Sequence, residues 1–263
     1  MKTGCRMKIG CRMKRTLACL AVLASLPLAA DDSISLAVRG KTQVLARLDR
    51  GPNVQNVIVL FLPGDGGWRG AAVTMGGAMA SWGYETYGFD TKKYLEMFSQ
   101  NGLKLSRNQM AEDMRSLVGE LPGGAKRPVV IVGWSQGAAM AVAAVAGYPV
   151  HGRIKGILTL GLPESAVLGW DWRATLALIA RHEPNQPTFT VKPLLPSLAS
   201  VPLWMIHGAQ DEYTSPEVER ALFQAAPEPK HYAEVPEADH RFGGHEDELN
   251  RSLKAGLLWI ANN

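Results

Sequence analysis

Cysteine is confined to one end of this 263-residue chain, because all three cysteines lie within the first nineteen residues. From residue 20 onwards the sequence has no thiol, which excludes a disulfide, a cysteine nucleophile and a cysteine-ligated metal there. No metal-binding or organic-cofactor motif is visible, and no internal repeat or low-complexity segment appears after residue 30. We therefore expect chemistry that uses ordinary side chains and no cofactor.

An excess of positive charge is missing from most of the chain. The net charge is +4, but the first thirty residues carry six basic side chains and no acidic one, so the remainder carries a net −2. Nucleic-acid binding usually needs a basic patch or stripe. The sequence therefore predicts no nucleic-acid partner.

Residues 1–30 have the organisation of a secretory signal peptide. A basic pair at residues 14–15 precedes an apolar run over residues 17–28, and two alanines follow at residues 29–30. The apolar run is shorter than the roughly 20 residues that a membrane-spanning helix needs. We predict that residues 1–30 are removed on export, that residues 31–263 form a single domain, and that the cysteine-free protein is periplasmic.

Strand-like and helix-like segments alternate along the rest of the chain. Apolar or alternating runs predict strands at 34–38, 43–48, 57–62, 85–89, 129–132, 154–160, 203–207 and 230–235. Helical periodicity is found at 73–82, 107–121, 216–226 and 246–261. A Gly-Pro-Asn turn lies at 51–53, and residues 162–200 are rich in proline and tryptophan and look irregular. This alternation predicts an α/β fold with a mostly parallel sheet, helices on both faces, and a small cap around 162–200.

The most informative segment is Gly133-Trp134-Ser135-Gln136-Gly137. It follows an apolar β-branched run and precedes an alanine-rich helical run, which is the strand–turn–helix context of a nucleophile elbow. The two glycines leave space where the helix packs under the strand. The pattern predicts that Ser135 is a nucleophile exposed above the sheet.

Two downstream residues have the order and placement that such a serine needs. In proteins built around this elbow, the chain order is serine, acid, histidine. Asp211 lies just past the strand at 203–207, and His240 lies between the last short strand and the closing helix. Both loops are expected at the carboxyl edge of the sheet, where ligands bind. We predict that His240 is the base and that Asp211 orients it.

Other residues compete for both roles. Glu212 is the alternative acid. The alternative histidines are His151, His182, His207, His231 and His245. His207 falls inside a strand pattern and is expected to pack in the core, whereas His245 suits the start of a helix.

The loop Leu62-Pro-Gly-Asp-Gly-Gly67 occupies the place of an oxyanion loop. We predict that the oxyanion is bound by the backbone N–H of Gln136 and by one from Asp65 or Gly66. The Asp65 side chain has two interpretations, a turn-forming residue or a carboxylate that attracts a cationic acyl group. Two interpretations also exist for Trp68, Trp170 and Trp172. They pack within the loops, or they form an apolar lip over the cleft that binds substrate.

Four segments together resemble the AcvB/VirJ bacterial virulence-protein family, a periplasmic branch of the α/β-hydrolases. They are Leu62-Pro-Gly-Asp-Gly-Gly-Trp-Arg69, Asp90-Thr-Lys-Lys-Tyr-Leu95, Val132-Gly-Trp-Ser-Gln-Gly137 and Asp239-His-Arg-Phe-Gly-Gly244. The resemblance implies an α/β-hydrolase fold with Ser135, Asp211 and His240 as the triad. It also implies that Lys93 and Tyr94, the Lys-Tyr pair of the family, line the substrate site.

The resemblance further implies hydrolysis of aminoacyl-phosphatidylglycerol, with a lipid headgroup at the periplasmic face of the inner membrane as partner. Lys93 would then meet the lipid phosphate, and Asp65 the aminoacyl ammonium. Two alternatives stay open. One is a binding protein that delivers substrates to secretion-system components, and the other is a generic carboxylesterase or thioesterase.

Overall fold

A computed structural model describes residues 32–48, 55–99, 103–123, 127–147, 152–170, 186–198 and 201–263. The described strands are β1 Asp32–Val38, β2 Lys41–Leu48, β3 Ile58–Leu62, β4 Glu85–Gly88, β5 Val129–Trp134, β6 Ile154–Leu160, β7 Ser165–Val167, β8 Thr188–Thr190, β9 Leu203–Gly208 and β10 Lys230–Val235. The described α-helices are α1 Ala71–Ser81, α2 Thr91–Ser99, α3 Arg107–Glu120, α4 Gln136–Val145, α5 Pro216–Ala225 and α6 Glu246–Asn262. The predicted signal peptide and the turn at 51–53 lie outside the described residues.

Eight of these strands form one sheet in the order β1-β2-β4-β3-β5-β6-β9-β10. The pairs β1–β2 and β2–β4 are antiparallel, and the other pairs are parallel. Strands β3 and β9 are buried at every residue, as continuous apolar runs predict for a sheet covered on both faces. The predicted mostly parallel α/β-hydrolase sheet is confirmed.

Helices cover both faces of the sheet. On one face, α3, α4 and α5 contribute apolar side chains to a core that includes Ile131 of β5 and Met205 of β9. On the other face, α1 and α6 pack against a second core that includes Val132 and Ile206. Neighbouring strand residues alternate between these two cores because successive side chains point to opposite faces. None of the helices in the described ranges is long and apolar enough to cross a lipid bilayer.

Two segments differ from the sequence prediction. Helix α2 was not predicted, although its Tyr94 and Leu95 are buried in the core. The described parts of the region 162–200 are more regular than expected, since β7 pairs with β8 and a 3₁₀ helix spans Lys192–Leu198. Residues 171–185 of the predicted cap lie outside the described residues. The 3₁₀ helix inserts Leu194, Leu195 and Leu198 into the core, so this part of the region belongs to the main domain.

Candidate active site

Ser135 lies at the junction of β5 and α4 with φ of 53° and ψ of −119°. Such a positive φ is uncommon for a residue with a side chain, and this strain is typical of a nucleophile at a sharp strand-to-helix turn. The Ser135 N–H donates to the carbonyl of Leu160 at 2.9 Å, which ties the turn to the end of β6. The serine therefore occupies the carboxyl edge of the sheet, as predicted from the sequence.

Two glycines make this turn possible. A β-carbon at Gly133 would lie 2.5 Å from Ala138 Cα, and one at Gly137 would overlap the carbonyl of Leu62 and press on that of Pro63. Helix α4 thus approaches both its own strand and the end of β3 at backbone distance. The loop that follows Leu62 is held against the elbow by the same contact.

We expect Gly137→Ala to lower the free energy of unfolding by about 1–3 kcal/mol, because the added methyl group has no space and α4 must move. The matched control is Gly119→Ala in α3, where a β-carbon meets nothing within 4 Å. That change should stabilise the helix by about 0.5–1 kcal/mol. Urea unfolding of both variants checks the pair, and equal stabilities for Gly137→Ala and the unsubstituted protein would contradict the packing argument.

Asp211 and His240 form a buried pair at the same edge. His240 Nδ1 lies 2.7 Å from Asp211 Oδ2. Both side chains rest on Gly161, where a β-carbon would lie 2.9 Å from His240 Cε1 and 3.2 Å from Asp211 Oδ2. Gly161 directly follows Leu160 of β6. Leu160 accepts the Ser135 N–H and Gly161 lies beneath the His240 imidazole, so adjacent residues contact the serine and the histidine.

The surroundings of Asp211 keep its carboxylate ionised. Burial raises its pKa, but the hydrogen bond to His240 and the backbone N–H groups of Thr214 and Tyr213 outweigh burial, so the pKa of Asp211 is lowered. Those two amides donate to Asp211 Oδ1 at 2.9 and 2.8 Å. A carboxylate held on both oxygens can orient an imidazole and stabilise its protonated form.

The hydroxyl of Ser135 and the ring of His240 are not joined by a hydrogen bond among the described residues. They are neighbours through Gly161, and the Trp134 indole N–H donates to the His240 carbonyl at 3.2 Å. The structure thus brings Asp211 and His240 together directly and places Ser135 beside them.

The competing residues have other partners. The Glu212 carboxylate accepts the backbone N–H of His240 at 3.1 Å and does not contact Nδ1. His207 is fully buried within β9, as its strand pattern predicted, and His245 precedes α6 as its N-cap. His231 is exposed and stacks on Trp204 with ring centroids 3.9 Å apart. His151 and His182 lie outside the described residues.

The predicted oxyanion loop lies beside the elbow. A β-carbon at Gly64 would lie 3.3 Å from Ser135 Cβ and 3.9 Å from Oγ. Asp65 and Gly66 follow Gly64 and are exposed. Gln136 is the first residue of α4, where a backbone N–H has no partner within the helix. Its side chain donates from Nε2 to the Val167 carbonyl at 2.9 Å and accepts from that residue's N–H at 3.4 Å.

The two residues of the predicted Lys-Tyr pair occupy different environments. Lys93 has a 79% exposed side chain whose Nζ lies 3.5 Å from Asp90 Oδ2. Tyr94 is fully buried, and its hydroxyl donates to Asp113 at 2.6 Å, a carboxylate that also pairs with Arg39. The prediction that Tyr94 lines the substrate site does not fit this placement, because its ring faces the core and its hydroxyl is already bound.

Trp68 packs into the fold instead of standing over the cleft. A β-carbon at Gly88 or at Gly76 would overlap its indole, so the ring fills a slot between β4 and α1. Its ring also meets Phe61 edge-on, with centroids 6.0 Å apart. Of the two interpretations of Trp68, the packed one agrees with the structure, and the substrate-binding one does not.

Sequence reasoning missed two residues beside the site. Tyr213 is 57% exposed, and its ring meets that of His240 edge-on with centroids 4.9 Å apart. Lys92 lies against Gly67 of the oxyanion loop and places Nζ 4.0 Å from the centroid of Trp170. Tyr213 could have been predicted beside the site because it lies two residues after the predicted acid. No local sequence pattern connects Lys92 with Trp170. Tyr213 is the exposed aromatic wall next to the predicted base.

No group of three or more metal-ligating side chains occurs within the described ranges. The polar groups collected at this edge are a serine hydroxyl, an imidazole, a carboxylate and helix-start N–H groups. These groups can activate an alcohol, transfer protons and stabilise an oxyanion.

Several solved structures have a similar fold. The esterase domain of a Rhodothermus marinus protein gives a TM-score of 0.62 at 19% identity, over 89% of this chain and 98% of that one. Dienelactone hydrolase from Anabaena variabilis gives 0.61 at 18% identity, over 86% and 95%. Monoacylglycerol lipase from Paleococcus ferrophilus gives 0.56 at 16% identity, over 84% and 98%. These similarities show the α/β-hydrolase fold.

A comparison with curated proteins finds no match. The family model described as bacterial virulence protein (VirJ) matches residues 56–219, which is more than half of the chain. The matched region contains the predicted oxyanion loop, helix α2, the elbow and Asp211. The chain therefore belongs to the VirJ family of bacterial virulence proteins.

Proposed function

We propose that this protein is a serine hydrolase that cleaves carboxylic esters with Ser135, His240 and Asp211. The observation that carries the proposal is the strained Ser135 at the end of β5, on the same edge as the 2.7 Å His240–Asp211 pair. The solved structures with this fold include an esterase domain and a monoacylglycerol lipase, which supports ester hydrolysis as the reaction.

The proposed reaction has two halves. Ser135 Oγ bonds to the ester carbonyl carbon while His240 Nε2 accepts the hydroxyl proton, and the carbonyl oxygen becomes an oxyanion. The oxyanion accepts hydrogen bonds from the backbone N–H of Gln136 and from one of Asp65 or Gly66. When the carbon–oxygen bond to the alcohol breaks, His240 gives its proton to the leaving oxygen. Water then attacks the acyl-serine by the same route and releases the acid and free Ser135.

We propose aminoacyl-phosphatidylglycerol, carrying lysine or alanine, as the substrate. Membership of the virulence-protein family supports this choice, since the resemblance pointed to that lipid. The exposed Asp65 adjoins the elbow loop and suits the aminoacyl ammonium, and the exposed Lys93 suits the lipid phosphate. The lipid would be reached at the periplasmic face of the inner membrane, after export and removal of residues 1–30.

The test is incubation of purified protein with detergent-dispersed lysyl- and alanyl-phosphatidylglycerol, with free amino acid measured by mass spectrometry. A p-nitrophenyl ester is assayed in parallel. We expect release of amino acid at least about 10³-fold faster than with Ser135→Ala, because the triad acts as a unit.

Two results would contradict the proposal in different ways. Hydrolysis of the p-nitrophenyl ester without amino-acid release would remove the lipid substrate and leave a generic esterase. No reaction with either ester, together with no labelling by a fluorophosphonate probe, would remove the hydrolase and favour the binding role in secretion.

A further inference from the structure

A layer of buried polar groups lies on one face of the sheet and reaches Asp211 through His207. Thr159 of β6 and Tyr232 of β10 are both in register with Met205 of β9. Because side chains alternate along a strand, His207 shares the face of Met205. Met205 belongs to the core that also contains Leu222 of α5, so this is the face that α5 covers.

Helix α5 adds a carboxyl group to this layer. Glu219 has no exposed surface, and neither of its carboxyl oxygens has a hydrogen-bond partner of normal geometry among the described residues. The same holds for both ring nitrogens of His207 and for the hydroxyls of Thr159 and Tyr232. Buried polar groups are rarely left without partners, and buried water commonly bridges those that share a polar site. Four such groups in one layer are therefore expected to act together.

His207 connects this layer to the candidate active site. Its Nδ1 lies 4.0 Å from Asp211 Oδ2, the same oxygen that His240 contacts at 2.7 Å. If His207 Nδ1 moved about 1 Å closer to Asp211 Oδ2, these two atoms would form a hydrogen bond as well. Asp211 is thus approached by one imidazole from the substrate side and by another from beneath.

Burial is the largest influence on the pKa values of His207 and Glu219, and it favours the neutral form of each group. Burial lowers the pKa of His207 and outweighs the opposing effect of Asp211 and Glu234, while His240 and Arg220 lower it further. Burial raises the pKa of Glu219 well above its ordinary value, and the charge of Asp211 raises it more, against a smaller effect of the Leu162 backbone.

We propose that Glu219 and His207 are positioning residues that form a proton-sharing chain ending on Asp211. The neutral carboxyl of Glu219 donates to Nε2 of His207, directly or through one buried water, and His207 donates from Nδ1 to Asp211 Oδ2. A neutral histidine has one donor and one acceptor nitrogen, so the Glu219 proton selects the tautomer. Loss of that proton would move the histidine N–H to Nε2 and turn a lone pair towards Asp211.

The first test measures protonation of Glu219 through stability and does not depend on catalysis. A group whose pKa is raised in the folded protein stabilises the fold at low pH, and this contribution is lost as the pH rises towards the folded pKa. The ratio to measure is the folding equilibrium constant of Glu219→Gln divided by that of the unsubstituted protein. We expect this ratio to rise about tenfold per pH unit above roughly pH 5, because only the unsubstituted protein loses the contribution. Urea unfolding between pH 5 and 9 gives this ratio.

The matched control is Glu217→Gln, on the same helix but exposed. The pKa of Glu217 is lowered by its own backbone amide at the helix start and by Ser215, so the corresponding ratio should be flat above pH 5. A flat ratio for Glu219→Gln would mean that Glu219 is ionised in the folded protein and would overturn the proposal.

The second test measures the donor to Asp211 and rests on the proposed ester hydrolysis. His207→Phe removes both ring nitrogens, whereas His207→Asn keeps an N–H near the position of Nδ1. Without the donor, the charge of Asp211 acts more strongly on His240. We expect the acid limb of kcat/KM in His207→Phe to move about one unit to higher pH, with kcat about tenfold lower and KM unchanged. His207→Asn should restore the limb.

If His207→Phe is active and the acid limb of its kcat/KM profile does not move, the positioning role is wrong. Substitution of a purely structural residue would change only the amount of folded enzyme. If the protein hydrolyses no ester but the ratio for Glu219→Gln rises with pH, the proposed function is wrong, whereas the conclusion that Glu219 is protonated in the folded protein is retained. The two failures are therefore distinguishable.

Discussion

Ser135→Ala is expected to lower kcat for ester hydrolysis by about 10⁴–10⁶-fold. The substitution removes the hydroxyl that we propose as the nucleophile, and loss of the nucleophile from a serine triad costs nearly as much as loss of the whole triad. The fold should persist, with a change in the free energy of unfolding below about 1 kcal/mol, because Ser135 is half-buried and a methyl group fits the same turn. Turnover of a p-nitrophenyl ester, together with urea unfolding, separates the two effects.

The matched control for Ser135→Ala is Ser116→Ala on the exposed face of α3. That variant should keep full turnover and full labelling by a fluorophosphonate probe, whereas Ser135→Ala should lose both. Retention of more than about a tenth of the turnover by Ser135→Ala would show that the elbow serine is not the nucleophile.

The second large effect is expected at the acid. Asp211→Asn should lower kcat by about 10⁴-fold with little change in KM, because an amide does not supply the negative charge and can hold the imidazole in the wrong tautomer. The neighbouring carboxylate offers a matched control. Glu212→Gln keeps an oxygen that accepts the His240 backbone N–H and should cost only a few-fold. Equal losses in the two variants would contradict the assignment of Asp211.

Asp211→Asn also has a defined effect of pH on stability. Because the pKa of Asp211 is lowered in the folded protein, its ionised form stabilises the fold. This contribution is present above the unfolded value of about 3.9 and is lost as the pH falls through the folded pKa. The stability difference between the unsubstituted protein and Asp211→Asn should therefore be constant near neutral pH and shrink as the pH falls below about 4, as urea unfolding at several pH values will measure.

The strands and the elbow could be predicted because their signals are local. A buried parallel strand is a short apolar run, and Val129–Trp134 followed by Ser135 and an alanine-rich helix carries its meaning within a few residues. Chain order then selected Asp211 and His240 from several acids and histidines. The predictions for β6 and β10 agree with the strands Ile154–Leu160 and Lys230–Val235.

The sequence was less informative about residues whose environment is made by distant parts of the chain. Tyr94 resembles a family substrate residue, but its burial depends on Asp113 of α3 and Arg39 of the β1–β2 turn. Trp68 is removed from the cleft by a slot that exists only because Gly76 and Gly88 lack side chains. His207 was correctly expected in the core, yet its approach to Asp211 depends on a turn that reverses the chain after β9.

The packing of Trp68 has a consequence for the loop that we propose to supply an oxyanion donor. Its ring is wedged beside Gly88, the adjoining Gly67 lies against Asp90, and the other end of the loop is pinned where Gly137 meets the Leu62 carbonyl. The loop therefore loses its conformational freedom when the chain folds, not when a substrate arrives. Dipoles fixed in advance need no reorganisation as negative charge develops, so the binding energy of the substrate remains available to favour the reaction itself.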